Sequence, residues 1–125
     1  MKKNLLKLAA GALLLGPACA MAHHSFSMFD MQKTVTLTAS VTKFTWQNPH
    51  AWLEADARLP GGKSERWAIE MTSPNNLAQE GWKRSSLRPG DKVTLYVHPL
   101  RNGAKGGSLR GVRLATGATL GQVDQ

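Results

Sequence analysis

Lys33-Thr34-Val35-Thr36-Leu37-Thr38-Ala39-Ser40-Val41-Thr42-Lys43-Phe44-Thr45-Trp46 carries two patterns in succession. Through Val41 it alternates with period two: Val35, Leu37, Ala39 and Val41 on one face, Thr34, Thr36, Thr38 and Ser40 on the other. That is the signature of a half-buried strand rich in β-branched residues. The parity then switches, because Phe44 and Trp46 fall on the threonine side. One extra residue inserted near Thr42-Lys43 re-aims both rings toward the apolar face, and such a β-bulge also bends the strand.

Downstream, Gln47-Asn48-Pro49-His50 is a turn signal. A second strand is expected over 51–59, with Leu53, Ala55, Ala57 and Leu59 opposite Trp52, Glu54, Asp56 and Arg58. Pro60-Gly61-Gly62 closes a hairpin into a third strand over 65–71, where Trp67, Ile69 and Met71 share a face. Glu54 and Asp56 could mimic a catalytic carboxylate pair, but they read as exposed cross-strand partners of Arg66 or Lys63. Ser73-Pro74 then supplies an N-cap and a proline at the first helical position, for a short helix over 75–82 burying Leu77 and Trp82. After the turn at 85–91, a fourth strand over 92–98 turns Val93, Leu95 and Val97 inward. The glycine-rich segment 99–107 reads as a flexible loop, 109–114 as a fifth strand, and the end beyond Thr116 as frayed.

Three strands, a helix and two more strands is the order of an OB-fold. The expected class is all-β with one short helix, a five-stranded OB-like antiparallel barrel. A bent first strand suits it, because strand one must serve both halves of the barrel. Another small antiparallel barrel or sandwich with a stray helix is the competing architecture.

Upstream, Lys2, Lys3 and Lys7 precede an apolar run from Leu5 to Leu15, as in a secretory signal peptide. The run is shorter than the ~20 apolar residues that span a bilayer. Cleavage after Ala20-Met21-Ala22 would make His23 the first mature residue. Ala18-Cys19-Ala20 offers a second site, and Cys19 a lipid anchor, although Gly16-Pro17-Ala18 is a poor lead-in for lipidation. The expected organisation is a signal peptide at 1–22, a histidine-containing arm at 23–32, the barrel domain at 33–116 and a tail at 117–125, in a periplasmic protein with no transmembrane segment in its mature chain.

Cys19 is the one cysteine, so the mature chain has no thiolate site and no disulfide. Three of the 16 Lys and Arg fall in the leader and all 8 acids after it, leaving 13 against 8, a net charge of +5. Those charges are scattered, which describes a solvated basic surface better than a nucleic-acid groove. No nucleic-acid partner is expected of an exported protein.

The chain has four histidines. His23 and His24 open the mature chain, His50 sits in the first loop and His98 at the mouth of the last. An OB barrel binds on the face flanked by those two loops. A terminal amine and imidazoles suit Cu(II), Ni(II) and Zn(II), copper most strongly. The candidate metal ligands are therefore His23, His24, His50 and, after them, His98. Trp46 would shield the centre, Asn48 would brace the loop, and Arg101 would add charge to the binding face. Met28, Met31 and Met71 offer thioethers, which suit Cu(I). No organic cofactor is implied, and no Gly-x-Ser-x-Gly, phosphate loop or His-Glu-x-x-His occurs, so an enzyme is not expected. The rival reading is a metal-free module that binds an envelope polymer or protein through its basic, aromatic face.

His23-His24-Ser25-Phe26, Phe29-Asp30 and Trp46-x-Asn48-Pro49-His50 resemble a bacterial family of small secreted proteins of unknown function. The likeness continues through Trp67, Glu70, Ser73-Pro74-Asn75, Gly81-Trp82 and Leu87-x-Pro89-Gly90-Asp91. It implies an exported single domain and no particular activity; His23, His24 and His50 match the pattern, and His98 falls where relatives need not have histidine. More loosely, the expected architecture resembles periplasmic copper chaperones with an OB barrel, which use His, Met and Trp on the barrel face. This chain lacks their Met-x-Met strand motif, so that analogy concerns fold alone.

Overall fold

In the computed structural model, which describes residues 26–124, β1 (Val35–Thr45) is shared between two halves of a barrel. Its first half pairs antiparallel with β4 (Lys92–Pro99), from Val35 opposite Val97 to Ser40 opposite Lys92. Its second half pairs antiparallel with β2 (Trp52–Arg58), from Ala39 opposite Ala57 to Thr45 opposite Trp52. The register slips between Val41 and Lys43, so the expected bulge falls on Thr42. Beyond it, Phe44 and Trp46 pack against the core, as the parity switch requires.

β3 (Ser64–Glu70) pairs antiparallel with β2, and β5 (Gly106–Leu114) antiparallel with β4. Three further pairings, Ala68–Gly106, Ile69–Gly107 and Glu70–Ser108, close the barrel. This is the five-stranded OB-like barrel that the element order implies. Its closing ladder is parallel, whereas the others in the barrel are antiparallel.

Two expectations near the C-terminus need correction. Gly106 and Gly107 belong to β5, not to a flexible loop. A Cβ on Gly106 would lie 2.7 Å from the Ala68 carbonyl oxygen, and one on Gly107 2.2 Å from that of His98. These glycines are there for close backbone approach, which a reading for flexibility overlooks. The end beyond Thr116 is also not simply frayed: β6 (Thr119–Gly121) pairs antiparallel with β5.

The barrel interior is filled by Val41, Leu53, Ile69, Leu95, Val97 and Val112, all essentially inaccessible. α1 (Pro74–Gln79) begins where expected, with Ser73 Oγ accepting from the Asn76 amide at 3.3 Å. It ends three residues short of the expected span. Trp82 still reaches the core, because its amide bonds the Leu77 carbonyl at 2.9 Å as the chain turns back. The leader, with its cleavage sites, and His23 and His24 lie outside the described residues.

Candidate functional site

The arm preceding β1 is fastened to the turn after β4. Phe29 bridges to Leu100 and is buried, the Asp30 amide donates to Pro99, and the Arg101 amide donates to Met28. The Arg101 side chain adds a bond from Nε to the Ser27 carbonyl at 3.1 Å and approaches Asp30 Oδ1 at 3.9 Å. So fastened, the arm lays Phe26, Phe29 and Met31 along a cleft of about 840 Å³. His50, Glu70, Met71, His98 and Arg110 line the same cleft, with Leu77 and Trp82 from the helical segment.

Strand pairing brings several of these together. Glu70 on β3 pairs with Ser108 on β5, and Ser108 pairs with His98 on β4. Paired residues point to one side of a sheet, so Glu70, Ser108 and His98 form a row on the face opposite Ile69 and Val97. His50 joins from the first loop. The β2–β3 ladder continues past its strands, with the Met71 amide on Ala51 and the Ala51 amide on Thr72, which sets His50 beside Glu70.

His50 Nδ1 lies 2.9 Å from Glu70 Oε1 and 3.1 Å from the Met71 carbonyl oxygen. His98 Nδ1 lies 2.8 Å from the Lys33 carbonyl oxygen. A carbonyl can only accept, so Nδ1 carries a proton in both rings, and Nε2 is the nitrogen left with a lone pair whenever the ring is neutral. Metal-ligating histidines commonly have this arrangement, with one nitrogen tied to a carboxylate or carbonyl and the other left to bind. Among the described residues, no three His, Cys, Asp or Glu side chains gather closely enough to hold an ion.

The other expected site residues lie elsewhere. Trp46 does not line the cleft; its ring packs edge-on against Phe44, 6.0 Å between centroids. Asn48 is exposed in the turn, ahead of a cis bond to Pro49. Arg101 belongs to the arm's fastening rather than to the cleft lining. Lys105, the next cation of that loop, stands 3.5 Å from Glu65 and over the Trp67 ring.

Two cleft residues escaped the sequence reading as site residues. Glu70, only 6% accessible, is the buried charged side chain among the described residues, although its parity on β3 assigned it to the outer face. Arg110, with its side chain 19% accessible, donates to the Asp124 backbone carbonyl and stands 3.4 Å from its carboxylate. The one signal for Glu70 was its place in the family-like motif set. Away from the cleft, Arg66 lies 2.6 Å from Asp56 and 3.7 Å from Glu54, the cross-strand pairing expected of them. The hydrogen bond from Arg66 holds the Asp56 carboxyl below its usual range.

With this geometry in view, a family model matches residues 12–110. The chain belongs to a family of unknown function, DUF6152. The match takes in β1 to β4 and the first half of β5, hence every described histidine and Glu70, and it ends before β6. No curated protein matches the chain. Among solved structures, the chain is similar to a mitochondrial single-stranded DNA binding protein from S. cerevisiae. The two are 14% identical, over 66% of this chain and 94% of that one, with a TM-score of 0.49. Among the described residues no helix is long and apolar enough to cross a membrane.

Proposed function

We propose that this is an exported, periplasmic, non-enzymatic protein that binds a transition-metal ion, copper before zinc or nickel. His50 supplies Nε2 from the barrel, His23 and His24 supply the terminal amine and imidazoles from the arm, and His98 is an accessory donor. One observation carries the reading: the fastened arm lines the same cleft as two imidazoles whose Nδ1 atoms are already occupied. His24 is two residues before Phe26, and two residues of chain span at most roughly 7 Å. Chain length alone therefore permits the arm's donors to reach the cleft, where they would complete a set that the described residues leave short.

Nitrogen donors without thiolate favour Cu(II) in the order of intrinsic affinities. The rival reading, binding of a polymer through a basic aromatic face, draws less support, because Arg101 and Lys105 are both engaged within the chain.

The test is a competitive titration of the processed protein, beginning at His23, with Cu(II). One ion per chain is expected. His50→Ala should weaken binding by at least the ~10–100-fold that loss of a mere supporting group costs. A residue added before His23 should weaken it as well, by displacing the amine from the chelate. Affinity indifferent to both changes would overturn the proposal.

A further inference from the structure

We propose that the cleft lined by the arm and the barrel is a binding site for a small organic cation, an ammonium group carried on an apolar body. The inference stands apart from the copper reading and calls only on described residues. A volume of about 840 Å³ lies within the roughly 300–1,000 Å³ of sites that take small molecules. Much of the wall is apolar. Phe29, Met71, Leu77 and Trp82 line it and are buried, while Phe26 and Met31 line it and stay 70% and 45% accessible. Large apolar side chains left open on the wall of a cleft are surface that a ligand's body would cover.

The charge of the ligand follows from Glu70. Its carboxylate is buried, which is costly unless donors compensate it. Among the described residues no lysine or arginine forms an ion pair with it, and its partner is His50 at 2.9 Å. That ring brings a single Nδ1–H, which it shares with the Met71 carbonyl at 3.1 Å. A carboxylate can accept at about four positions, so one shared proton leaves capacity to spare. Glu80 adds a second carboxylate to the lining. Arg110, the guanidinium of that lining, is taken up by the Asp124 carbonyl and carboxylate. The polar part of the cleft is therefore short of donors and of positive charge, and an ammonium head supplies both.

Phenethylamine, phenethyl alcohol and hydrocinnamate share one body and carry a cationic, a neutral and an anionic head at neutral pH. Each is titrated into the protein with a chelator present, following the amide resonances of Thr72, Ser108 and Leu109 in the cleft wall. The amine should bind at least about tenfold more tightly than the alcohol, and hydrocinnamate most weakly. Glu70→Gln should weaken the amine about 10–100-fold, the worth of a hydrogen bond to a charged group, and leave the alcohol within about threefold. Phe26→Ala should weaken amine and alcohol alike, by about 3–10-fold, because it removes wall and no charge.

An amine that binds no better than the alcohol, or an anion that binds best, would overturn the proposal. So would unmoved resonances at millimolar phenethylamine. Should Glu70→Gln not fold, the ranking of the three compounds on the unmodified protein and the equal losses in Phe26→Ala decide the matter, since Phe26 lies outside the core. Amine binding by a protein with no affinity for Cu(II) sustains this inference without the proposed function. Cu(II) binding by a protein indifferent to the amine removes only this inference.

Discussion

At Gly107 a hydrogen occupies a place where a methyl group cannot fit. A Cβ there would stand 2.2 Å from the His98 carbonyl oxygen and 2.4 Å from Val97 Cγ1, and the first of these is backbone that cannot step aside. Gly107→Ala should therefore destabilise the protein by about 1–3 kcal/mol or more, the usual range for overpacking, read as a lower urea midpoint. A midpoint within error of the original would show that the β4–β5 contact gives way freely. Asp56 offers a second residue-scale check, on charge. The Arg66 hydrogen bond lowers its carboxyl pKa, so any stability it lends is present above the unfolded-state value and fades as pH falls through the lower folded one. A carboxyl NMR titration should find Asp56 below its ordinary range, and Arg66→Ala should return it there; a carboxyl that ignores Arg66 contradicts the pairing. These residues differ in how far the sequence revealed them. Asp56 and Arg66 were readable because cross-strand pairing follows from strand register. Gly107 was not, because glycine is written identically for a hinge and for a close approach, and only its packing against β4 tells them apart.

Among elements, β1 was the most legible, since a switch of apolar parity has few physical solutions and a bulge is the least disruptive. The bulge has a consequence at Thr42. Its Oγ1 is buried and finds no hydrogen-bonding partner among the described protein groups. An unsatisfied hydroxyl costs about 1–3 kcal/mol. Thr42→Val keeps the β-branched shape and should raise stability by ~1 kcal/mol, read from the urea midpoint at unchanged slope. A loss of stability would mean the hydroxyl is satisfied in solution. β6 lay at the other extreme of legibility. Thr119–Gly121 has no alternating pattern and is held by backbone pairing, including Gln122 to the Arg110 carbonyl, which composition does not encode. Glu70 shows why element-level reasoning missed half of the cleft. Strand parity assigns a side chain to a face, but whether that face meets water depends on what other segments cover it. Here His50 from the first loop stands against the carboxylate, and its placement is not a property of β3.

For the whole molecule, the barrel followed from element order, while the cleft depends on how an arm from one end of the chain is fastened to the turn after β4. That fastening can be weakened without touching a proposed metal donor. Arg101→Ala removes the Nε bond to Ser27 and the approach to Asp30, while the Arg101 backbone bond to Met28 remains. Amide exchange over 27–33 should quicken, and protection in β1 and β4 should hold, since a local opening need not pass through global unfolding. On the copper proposal, binding would link this local change to overall stability. A ligand at 100 times its dissociation constant adds about 2.7 kcal/mol to a folded protein. For a domain of this size that is a rise in Tm of roughly 10–20 °C. If the arm delivers donors, part of the binding energy in Arg101→Ala must re-order it, so at fixed Cu(II) the rise should shrink by several degrees. An undiminished rise alongside faster exchange in the arm would mean that copper binds the barrel without the arm, and that His23 and His24 are not its ligands.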